Sequence, residues 1–450
     1  MSTALVYGLG IAGRSTIGAL TRRGWSVLAT DDVLDDDARR MAAELGAAVI
    51  DAVDVANSLG AVDTVVPAPG VPETHPLFAA ADEAGCELVS EIELAYRFEQ
   101  QRPQGPRPML AVTGTDGKTT TTLLAAAMLQ AAGRRPAVAG NTDVTLLDAL
   151  DLDVDVFVVE ASSFRLRCTE QFRSEVAVWL NFAEDHLNWH ESMASYESAK
   201  ARIFSQQRGG DTAIGFAADD VVMRHVRRAP GRQLSFGLGG ADYRVHHDSL
   251  WGPEGELAPL TAMSRRLPHD LTNALAAAAL TIEGGLATSA AVAAAVGEFR
   301  APAHRLELVA DHEGVSWFDD SKATTPHAAS VAIAAFDHVV LIAGGLNKGL
   351  DLGPMARQAH RLRAVVAIGQ DAADIAAVFH DHCPVVVADD MAAAVDLAAE
   401  LADHGDVVLL SPGCASFDWY PGYAARGDDF RRHVEALAGL VETSTRGATT

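Results

Sequence analysis

The sequence AVTGTDGKTTTT at residues 111–122 decides how the rest of the chain is interpreted. A short apolar strand at 109–112 precedes it, and a helix rich in alanine and leucine at 123–132 follows it. Two glycines let backbone N–H groups turn inward, Lys118 supplies a positive charge, and the helix N-terminus offers further N–H donors. The pattern is shortened, because Val112 stands where the general P-loop motif has its first glycine. The stretch predicts a phosphate-binding loop, with a plain strand-to-helix turn as the alternative.

Length and charge limit the possible partners of this chain. Its 450 residues are enough for two or three domains. With 35 lysines and arginines against 60 aspartates and glutamates, the formal net charge is −25, and such an acidic surface repels nucleic acid. No apolar run approaches the roughly 18 residues of a membrane span, and no leader segment is recognised. We therefore expect a soluble, cytoplasmic protein that acts on small molecules, without a nucleic-acid or membrane partner.

The N-terminal residues, 1–103, predict a Rossmann-like domain. An apolar strand runs into the glycine-rich turn GLGIAG at 8–13, and a pair of aspartates follows the next strand at 31–32. This spacing is typical of a dinucleotide site, although the motif is weak on its own. Strands and helices alternate up to residue 99, which predicts a doubly wound sheet. The proline- and glycine-rich turn at 68–72 is equally consistent with a ligand contact and with a rigid loop.

A linker at 101–108, QRPQGPRP, separates this domain from a second one at 107–300, because its three prolines cannot continue a helix. In the second domain, one buried strand ends at Glu160, and another is followed by EDHLNWH at 184–190, which contains His186. The carboxyl ends of parallel strands meet at one edge of a sheet. We therefore expect these groups to converge beside the phosphate-binding loop and to provide a Mg²⁺ site.

A third α/β unit follows from residue 302 to residue 442. Buried strands at 315–318, 339–343 and 407–410 alternate with helices, which again predicts a doubly wound sheet. The last residues, 442–450, are expected to be disordered. The chain is therefore predicted to be an α/β protein of three domains: Rossmann-like, P-loop ATPase and C-terminal doubly wound.

Together these motifs resemble those of the Mur ligase family, the ATP-dependent amide-forming enzymes of peptidoglycan precursor synthesis, and within it the glutamate-adding members. The similarity extends over nearly the whole chain and is carried by SEIEL at 90–94, GTDGKTTTT at 114–122, EASSFRL at 160–166, EDHLNWH at 184–190, HRLE at 304–307, DSKATTPHAA at 320–329, AGGLNKG at 343–349 and SPGCASFD at 411–418. The resemblance implies a monomer that joins glutamate, by family default D-glutamate, to UDP-N-acetylmuramoyl-L-alanine through an acyl phosphate. Such an enzyme serves cell-wall biogenesis, and hence cell shape and cell division.

The resemblance also implies roles for individual residues. The catalytic residues are Lys118, His186 and Lys200. ATP is bound by Gly114, Thr115, Asp116, Gly117, Lys118, Thr119, Thr120, Asn273, Arg305 and Asp320. Two Mg²⁺ ions are implied, one held by Thr119 and Glu160 and the other by Glu160, His186 and Lys200. The UDP-sugar contacts are Ile11, Ala12, Gly70 and Asn141, and the glutamate contacts are Lys322, Thr324, Lys348, Ser416, Phe417 and Tyr423.

Lys200 is a special case among these residues. Its place on a predicted helix at 195–204 indicates only an exposed, solvated side chain. In the family, the matching lysine is carbamylated, which converts a cation into a carboxylate-like metal ligand. The resemblance and the helical spacing therefore give different expectations for the same side chain.

Several positions depart from the usual family pattern, and other functions stay open. Asp116 and Asp270 replace asparagines, Gly413 replaces an alanine, Tyr423 stands where phenylalanine is frequent, and GNTD at 140–143 replaces a glycine–asparagine–isoleucine–glycine turn. An L-glutamate-adding variant and a folylpolyglutamate-type ligase are therefore alternatives within the superfamily. A non-catalytic nucleotide sensor and a dehydrogenase that uses the N-terminal glycine motif are alternatives from other classes.

Overall fold

The computed structural model describes residues 2–440. The tail predicted to be disordered, 442–450, and the end of the predicted third domain lie outside the described residues. Contacts divide the chain into two compact units that separate after Phe299. Within residues 2–440, no helix combines the length and the apolar character that crossing a bilayer requires.

The first sheet is five-stranded and parallel, with the strand order β3-β2-β1-β4-β5. Its strands are β1 (Thr3–Tyr7), β2 (Ser26–Thr30), β3 (Ala48–Val49), β4 (Thr64–Pro67) and β5 (Glu87–Leu88). Its helices are α1 (Ile11–Arg22), α2 (Asp36–Glu44), α3 (Val55–Ser58), α4 (Pro76–Ala84) and α5 (Glu91–Gln100). The predicted glycine-rich turn connects β1 to α1, and a Cβ atom on Gly13 would lie 1.9 Å from the Gly8 carbonyl oxygen. Only glycine allows this close approach of helix and strand.

The second sheet belongs to the same compact unit and is nine-stranded, with the order β14-β13-β12-β11-β10-β9-β6-β8-β7. Its strands are β6 (Met109–Thr113), β7 (Pro136–Gly140), β8 (Val156–Glu160), β9 (Val176–Trp179), β10 (Thr212–Phe216), β11 (Arg232–Gly237), β12 (Tyr243–His246), β13 (Ser249–Gly252) and β14 (Gly255–Pro259). Its helices are α6 (Lys118–Ala131), α7 (Leu146–Ala149), α8 (Ser163–Arg167), α9 (Met193–Ala201), α10 (Asp220–Val226), α11 (Pro268–Glu283) and α12 (Ser289–Glu298). Strands β6 and β8 are buried along their whole length, which explains their continuous apolar sequences.

The second unit contains a six-stranded sheet with the order β15-β16-β20-β17-β18-β19. Its strands are β15 (Glu307–His312), β16 (Val315–Asp319), β17 (Val339–Gly344), β18 (Leu362–Ile368), β19 (Val385–Val387) and β20 (Val407–Gly413). Its helices are α13 (Pro326–Ile333), α14 (Gly353–Ala356), α15 (Ala372–Phe379), α16 (Met391–Leu401) and α17 (Tyr423–Leu437). Only the edge strand β15 pairs antiparallel, with β16.

Each sheet has one strand at which the connections turn to opposite sides. Strand β1 lies between β2 and β4, β6 lies between β8 and β9, and β17 lies between β18 and β20. Open α/β sheets bind ligands at the carboxyl end of such a strand, where the flanking loops diverge and leave a crevice. These three strands end at the GLGIAG turn, at the phosphate-binding loop and at AGGLNKG. The fold thus places a conspicuous glycine-rich motif at each of its three switch points.

Candidate active site

The phosphate-binding loop follows β6 and leads directly into α6, which begins at Lys118. Gly117 adopts a left-handed conformation with φ +84°, and a Cβ atom there would lie 2.7 Å from the side-chain oxygen of Asn273. The loop therefore requires glycine at this position, and Asn273 on α11 lies against it. The residues implied in ATP binding within the first unit are thus close together.

Asn181 shapes this loop, and sequence reasoning missed its role. Its side-chain oxygen accepts hydrogen bonds from the backbone N–H groups of Thr115 and Asp116, both at 2.9 Å, and its amide donates to the Asp116 carbonyl oxygen at 3.2 Å. Asn181 comes directly after Leu180, just beyond β9, the strand next to β6. Its place at the end of a strand was the only available signal.

Two lysine ammonium groups converge on one carbonyl oxygen of the loop. Lys118 donates to the carbonyl oxygens of Gly114 at 2.9 Å and Thr115 at 2.7 Å, and Lys200 donates to that of Gly114 at 2.6 Å. The predicted exposure of Lys200 is wrong, because only 1% of this residue is accessible. Burial, together with the positive charge of Lys118, holds the pKa of Lys200 well below its usual range. The helical spacing of α9 could not reveal which elements cover this face.

His186 lies close enough to Lys118 and Lys200 for their positive charges to lower its pKa. Burial first, and then the positive charges of Lys118 and Lys200, lower the pKa of His186 to about 3, so the imidazole is neutral at pH 7. Its ring packs edge-on against Phe164 at 4.6 Å between centroids, and its Nε2 lies 3.1 Å from a carboxylate oxygen of Asp185. Burial, with the Asp116 charge, raises the pKa of Asp185 to about 6. A neutral imidazole retains a lone pair with which it can bind a metal or a proton.

Glu160 ends β8 beside the phosphate-binding loop and has one unsatisfied oxygen. Its Oε1 accepts a hydrogen bond from the Asn141 amide at 3.1 Å, whereas its Oε2 is buried without a hydrogen-bond partner. Among residues 2–440, no group of three or more His, Cys, Asp or Glu side chains could hold a metal ion. Mg²⁺ at nucleotide sites is commonly held by one or two carboxylates and the substrate phosphates, so a single unsatisfied carboxylate fits this ion.

Arg165 links this edge of the second sheet to helix α5, and its role was also missed from the sequence. Its Nε donates to Glu91 at 2.9 Å, and one terminal nitrogen donates to the Asn141 side-chain oxygen at 2.7 Å. Arg165 and Glu91 line a small pocket together with Ala12, one of the predicted UDP-sugar contacts. The predicted contact Asn141 thus lies between Arg165 and Glu160.

In the second unit, Asp320 is buried at the end of β16. It accepts hydrogen bonds from the Ser411 hydroxyl at 2.8 Å and from the Leu306 N–H at 3.2 Å. Burial raises its pKa to about 7, against the opposing effects of these hydrogen bonds and the Arg305 charge. Arg305 and Asp320, both implied in nucleotide binding, therefore lie near each other.

The predicted glutamate contacts of the second unit include two lysines that lie over aromatic rings. The Nζ atom of Lys322 lies 3.8 Å from the ring centroid of Tyr423, and that of Lys348 lies 5.3 Å from the ring centroid of Phe417. Phe417 is 63% exposed, whereas the neighbouring Ser416 is buried. Together with Lys118 and Lys200, these are the four lysines of the whole chain. All the lysines therefore stand at predicted site positions, although arginine is common elsewhere.

Arg426 holds the loops that carry these residues. Its guanidinium is buried and donates to the Ser321 hydroxyl at 2.9 Å, to the Cys414 carbonyl oxygen at 3.1 Å and to the Gly344 carbonyl oxygen at 3.4 Å. Burial lowers the pKa of Arg426 to about 10. Arg426 belongs to the sequence ARGDDF at 425–430, to which the sequence analysis gave no role, so this contact was not predicted.

Two domain families match the chain. The Mur ligase middle domain matches residues 112–281, and the Mur ligase, glutamate ligase domain matches residues 304–414. The first match begins within β6, immediately before the phosphate-binding loop, and the second ends within SPGCASFD. Both matches therefore cover sequence motifs that contain predicted site residues.

Similar proteins extend the comparison to nearly the full length. UDP-N-acetylmuramoylalanine–D-glutamate ligase from Frankia casuarinae is 42% identical over 97% of this chain and 94% of its own length. The protein of the same name from Streptomyces coelicolor is 38% identical over 96% of this chain and 97% of its own length. The crystal structure of UDP-N-acetylmuramate–alanine ligase from Thermotoga maritima has a TM-score of 0.58 at 18% identity, covering 98% of this chain and 100% of that chain. At that identity, the structural similarity concerns the fold alone.

Proposed function

This chain belongs to the Mur ligase family, and we propose that it catalyses the ATP-dependent joining of D-glutamate to UDP-N-acetylmuramoyl-L-alanine. The relatives from Frankia and Streptomyces, which align over nearly their whole length, carry names for this reaction. The observation that carries the proposal is the convergence of Lys118 and Lys200 on the Gly114 carbonyl oxygen, next to the strand that ends at Glu160. Such a cluster suits the transfer of a phosphoryl group.

The chemistry explains why these charges are needed. A carboxylate is a poor electrophile, so the substrate carboxylate first attacks the γ-phosphorus of ATP and forms an acyl phosphate, with ADP leaving. The amine of glutamate then attacks the acyl carbon, and the tetrahedral intermediate expels inorganic phosphate. Both steps concentrate negative charge, and positioned cations and N–H donors stabilise it.

On this proposal, Lys118 turns from the loop carbonyls to the β- and γ-phosphates, and the N–H groups of residues 114–120 surround them. Mg²⁺, when bound, would neutralise phosphate charge, with Thr119 and Glu160 at one site and Glu160, His186 and Lys200 at the other. Carbamylation of Lys200 requires an uncharged amine to attack CO₂ with loss of a proton. The low pKa of the buried Lys200 supports this modification.

The remaining predicted residues are assigned to three ligands. We assign UDP-sugar binding to Ile11, Ala12, Gly70 and Asn141. ATP binding involves, besides the phosphate-binding loop, Asn273, Arg305 and Asp320. Glutamate binding is assigned to Lys322, Thr324, Lys348, Ser416, Phe417 and Tyr423. The three sheets support domains at 1–103, 107–300 and 302–442. We also propose, from the resemblance to the family, a monomer that works in the cytoplasm, where ATP is available.

The test is a phosphate-release assay on the purified protein with UDP-N-acetylmuramoyl-L-alanine, ATP, Mg²⁺ and either D- or L-glutamate. We expect phosphate release, and a product heavier by one glutamyl residue, with the D enantiomer. Release with L-glutamate alone would replace the proposal by the L-adding variant. Release with neither enantiomer, from folded protein, would overturn it. Omission of the UDP-sugar controls for idle ATP hydrolysis.

A further inference from the structure

A buried carboxylate in the loop between β4 and α4 receives hydrogen bonds from the second-sheet region of the same unit. Glu73 follows the proline- and glycine-rich turn at 68–72, and its side chain is 4% exposed. Its Oε1 accepts a hydrogen bond from the backbone N–H of Glu191 at 2.6 Å and another from the hydroxyl of Ser195. One oxygen atom therefore contacts both the residue that follows the EDHLNWH stretch and the first turn of α9.

The other oxygen of Glu73 contacts two further side chains. Its Oε2 lies 3.3 Å from Nε of Arg167, at the end of α8, and 3.3 Å from Nδ1 of His190. The opposite ring nitrogen of His190 lies 2.9 Å from the hydroxyl of Ser163, at the start of α8. Glu73 thus joins three separate segments of the ATP-binding region, none of which is its neighbour in sequence.

Backbone and ring contacts reinforce the same junction. The N–H of Glu73 donates to the Trp189 carbonyl oxygen at 3.2 Å, and the Trp189 indole N–H donates to the Pro69 carbonyl oxygen at 2.8 Å. The Trp189 ring packs against Phe78 of α4, with 6.5 Å between ring centroids, and against Phe164 of α8, with 4.7 Å. The junction is therefore made from both sides and is not a single ion pair.

The segments held by Glu73 carry two of the proposed catalytic residues. The His186 carbonyl oxygen accepts the N–H groups of Trp189 and His190, both at 2.9 Å, so residues 186–190 form one tight turn. Ser195 lies on α9, the same helix that carries Lys200. A shift of either segment would move His186 or Lys200 away from the phosphate-binding loop.

We propose that Glu73 is a positioning residue, which fixes the His186 turn and the N-terminal end of α9 against the UDP-sugar-binding region. It acts through His186 and Lys200 and touches no reacting atom. The inference rests on the proposed function, since it gives the junction a catalytic purpose. It also goes beyond that function, because it makes a residue of the loop between β4 and α4 a determinant of phosphoryl transfer.

The experiment compares Glu73→Ala and Glu73→Gln with the wild-type protein and with Glu83→Ala, which removes an exposed carboxylate from α4. Hydrogen exchange of residues 184–195 is measured by mass spectrometry without substrates, and kcat and KM are measured by phosphate release. In Glu73→Ala we expect exchange of this segment to be faster by about tenfold. We also expect kcat to fall by about 10- to 100-fold, because small displacements of catalytic groups have effects of this size. The KM for ATP is expected to stay within about twofold, since the loop itself is intact.

Glu73→Gln keeps an oxygen that accepts from Glu191 and Ser195, so it should recover most of kcat, whereas Glu83→Ala should match wild type. Unchanged exchange and kcat in a folded Glu73→Ala protein would overturn the inference. If that variant does not fold, Ser195→Ala decides by the same measurements, because it removes one hydrogen bond to Glu73, and wild-type exchange and kcat in it would overturn the inference. An inactive wild-type protein would refute the proposed function instead, while the exchange data would still test the junction.

Discussion

The four lysines of this protein are held in two opposite ways. Lys118 and Lys200, in the first unit, donate hydrogen bonds to backbone carbonyl oxygens at 2.6 to 2.9 Å. Lys322 and Lys348, in the second, lie over aromatic rings at 3.8 and 5.3 Å. Carbonyl oxygens fix an ammonium group in one direction, whereas a ring face attracts it over a broad area. The ammonium groups of Lys118 and Lys200 are therefore directed by hydrogen bonds, whereas the ring contacts of Lys322 and Lys348 are compatible with a wider range of ammonium positions.

Removal of Lys118 should have the largest effect. Lys118→Ala is expected to lower kcat by about 10²- to 10³-fold, as does the loss of other single groups that stabilise transition-state charge. Phosphate release measures this, with Arg134→Ala as a control, because Arg134 is an exposed cation just beyond the same helix. A loss below tenfold would contradict the proposed role of Lys118 in phosphoryl transfer.

Removal of Lys348 should act on the amino acid instead. Lys348→Ala is expected to raise the KM for glutamate by about tenfold or more, through the loss of one charge-assisted hydrogen bond, with the KM for ATP unchanged. Initial rates at varied glutamate and ATP give both constants. Arg357→Ala removes an exposed cation of the same unit and should leave both unchanged. Equal increases in the KM for glutamate and the KM for ATP would contradict the assignment of Lys348 to glutamate binding.

Asp320, two residues before Lys322, should make stability depend on pH. Its folded-state pKa of about 7 lies above the ordinary value of about 4, so between these values the folded protein keeps a proton that the unfolded chain has lost. The contribution of this group to stability is thus greatest below pH 4 and falls as the pH rises towards 7.

Asp320→Asn should remove this dependence. Between pH 5 and pH 6.5, the wild-type free energy of unfolding should fall by about 2 kcal/mol relative to that of the variant. Denaturant unfolding at several pH values measures the difference, with the exposed Asp381→Asn as control. Parallel curves for Asp320→Asn and wild type would show that the buried carboxyl is ionised throughout.

The smallest effect is expected for Tyr423→Phe. The Tyr423 ring faces Lys322, and phenylalanine offers a similar ring face, so kcat and the KM for glutamate should change by less than about twofold. Steady-state rates with D-glutamate test this. A tenfold change in either constant would indicate that the Tyr423 hydroxyl binds glutamate directly. The contact of Lys322 with the ring face would then not be sufficient.

The sequence predicted the elements better than their arrangement. The fully buried strands and the glycine-rich turns were recognised because apolar runs and backbone requirements are local properties. Strand order is not local, so the positions of β1, β6 and β17 at switch points emerged only from the structure. The α/β class and the family membership are confirmed, whereas the domain bounds and the residue roles remain predictions.

The residues missed from the sequence share one property. Asn181 bonds to backbone groups 65 and 66 positions away, and Arg165 bonds to a carboxylate 74 positions away. Neither forms a motif with its partners, so no spacing could indicate it. The predicted exposure of Lys200 was wrong for the same reason, because the burial of a helical face depends on segments that are distant in sequence.

The scarcity of lysine has a practical consequence. A reagent that acylates or reductively methylates side-chain amines can mark only four side chains in this protein, and each belongs to a proposed ligand site. Peptide mapping after such labelling, with and without each substrate, would therefore act as a footprint of the nucleotide, metal and amino-acid sites in one measurement.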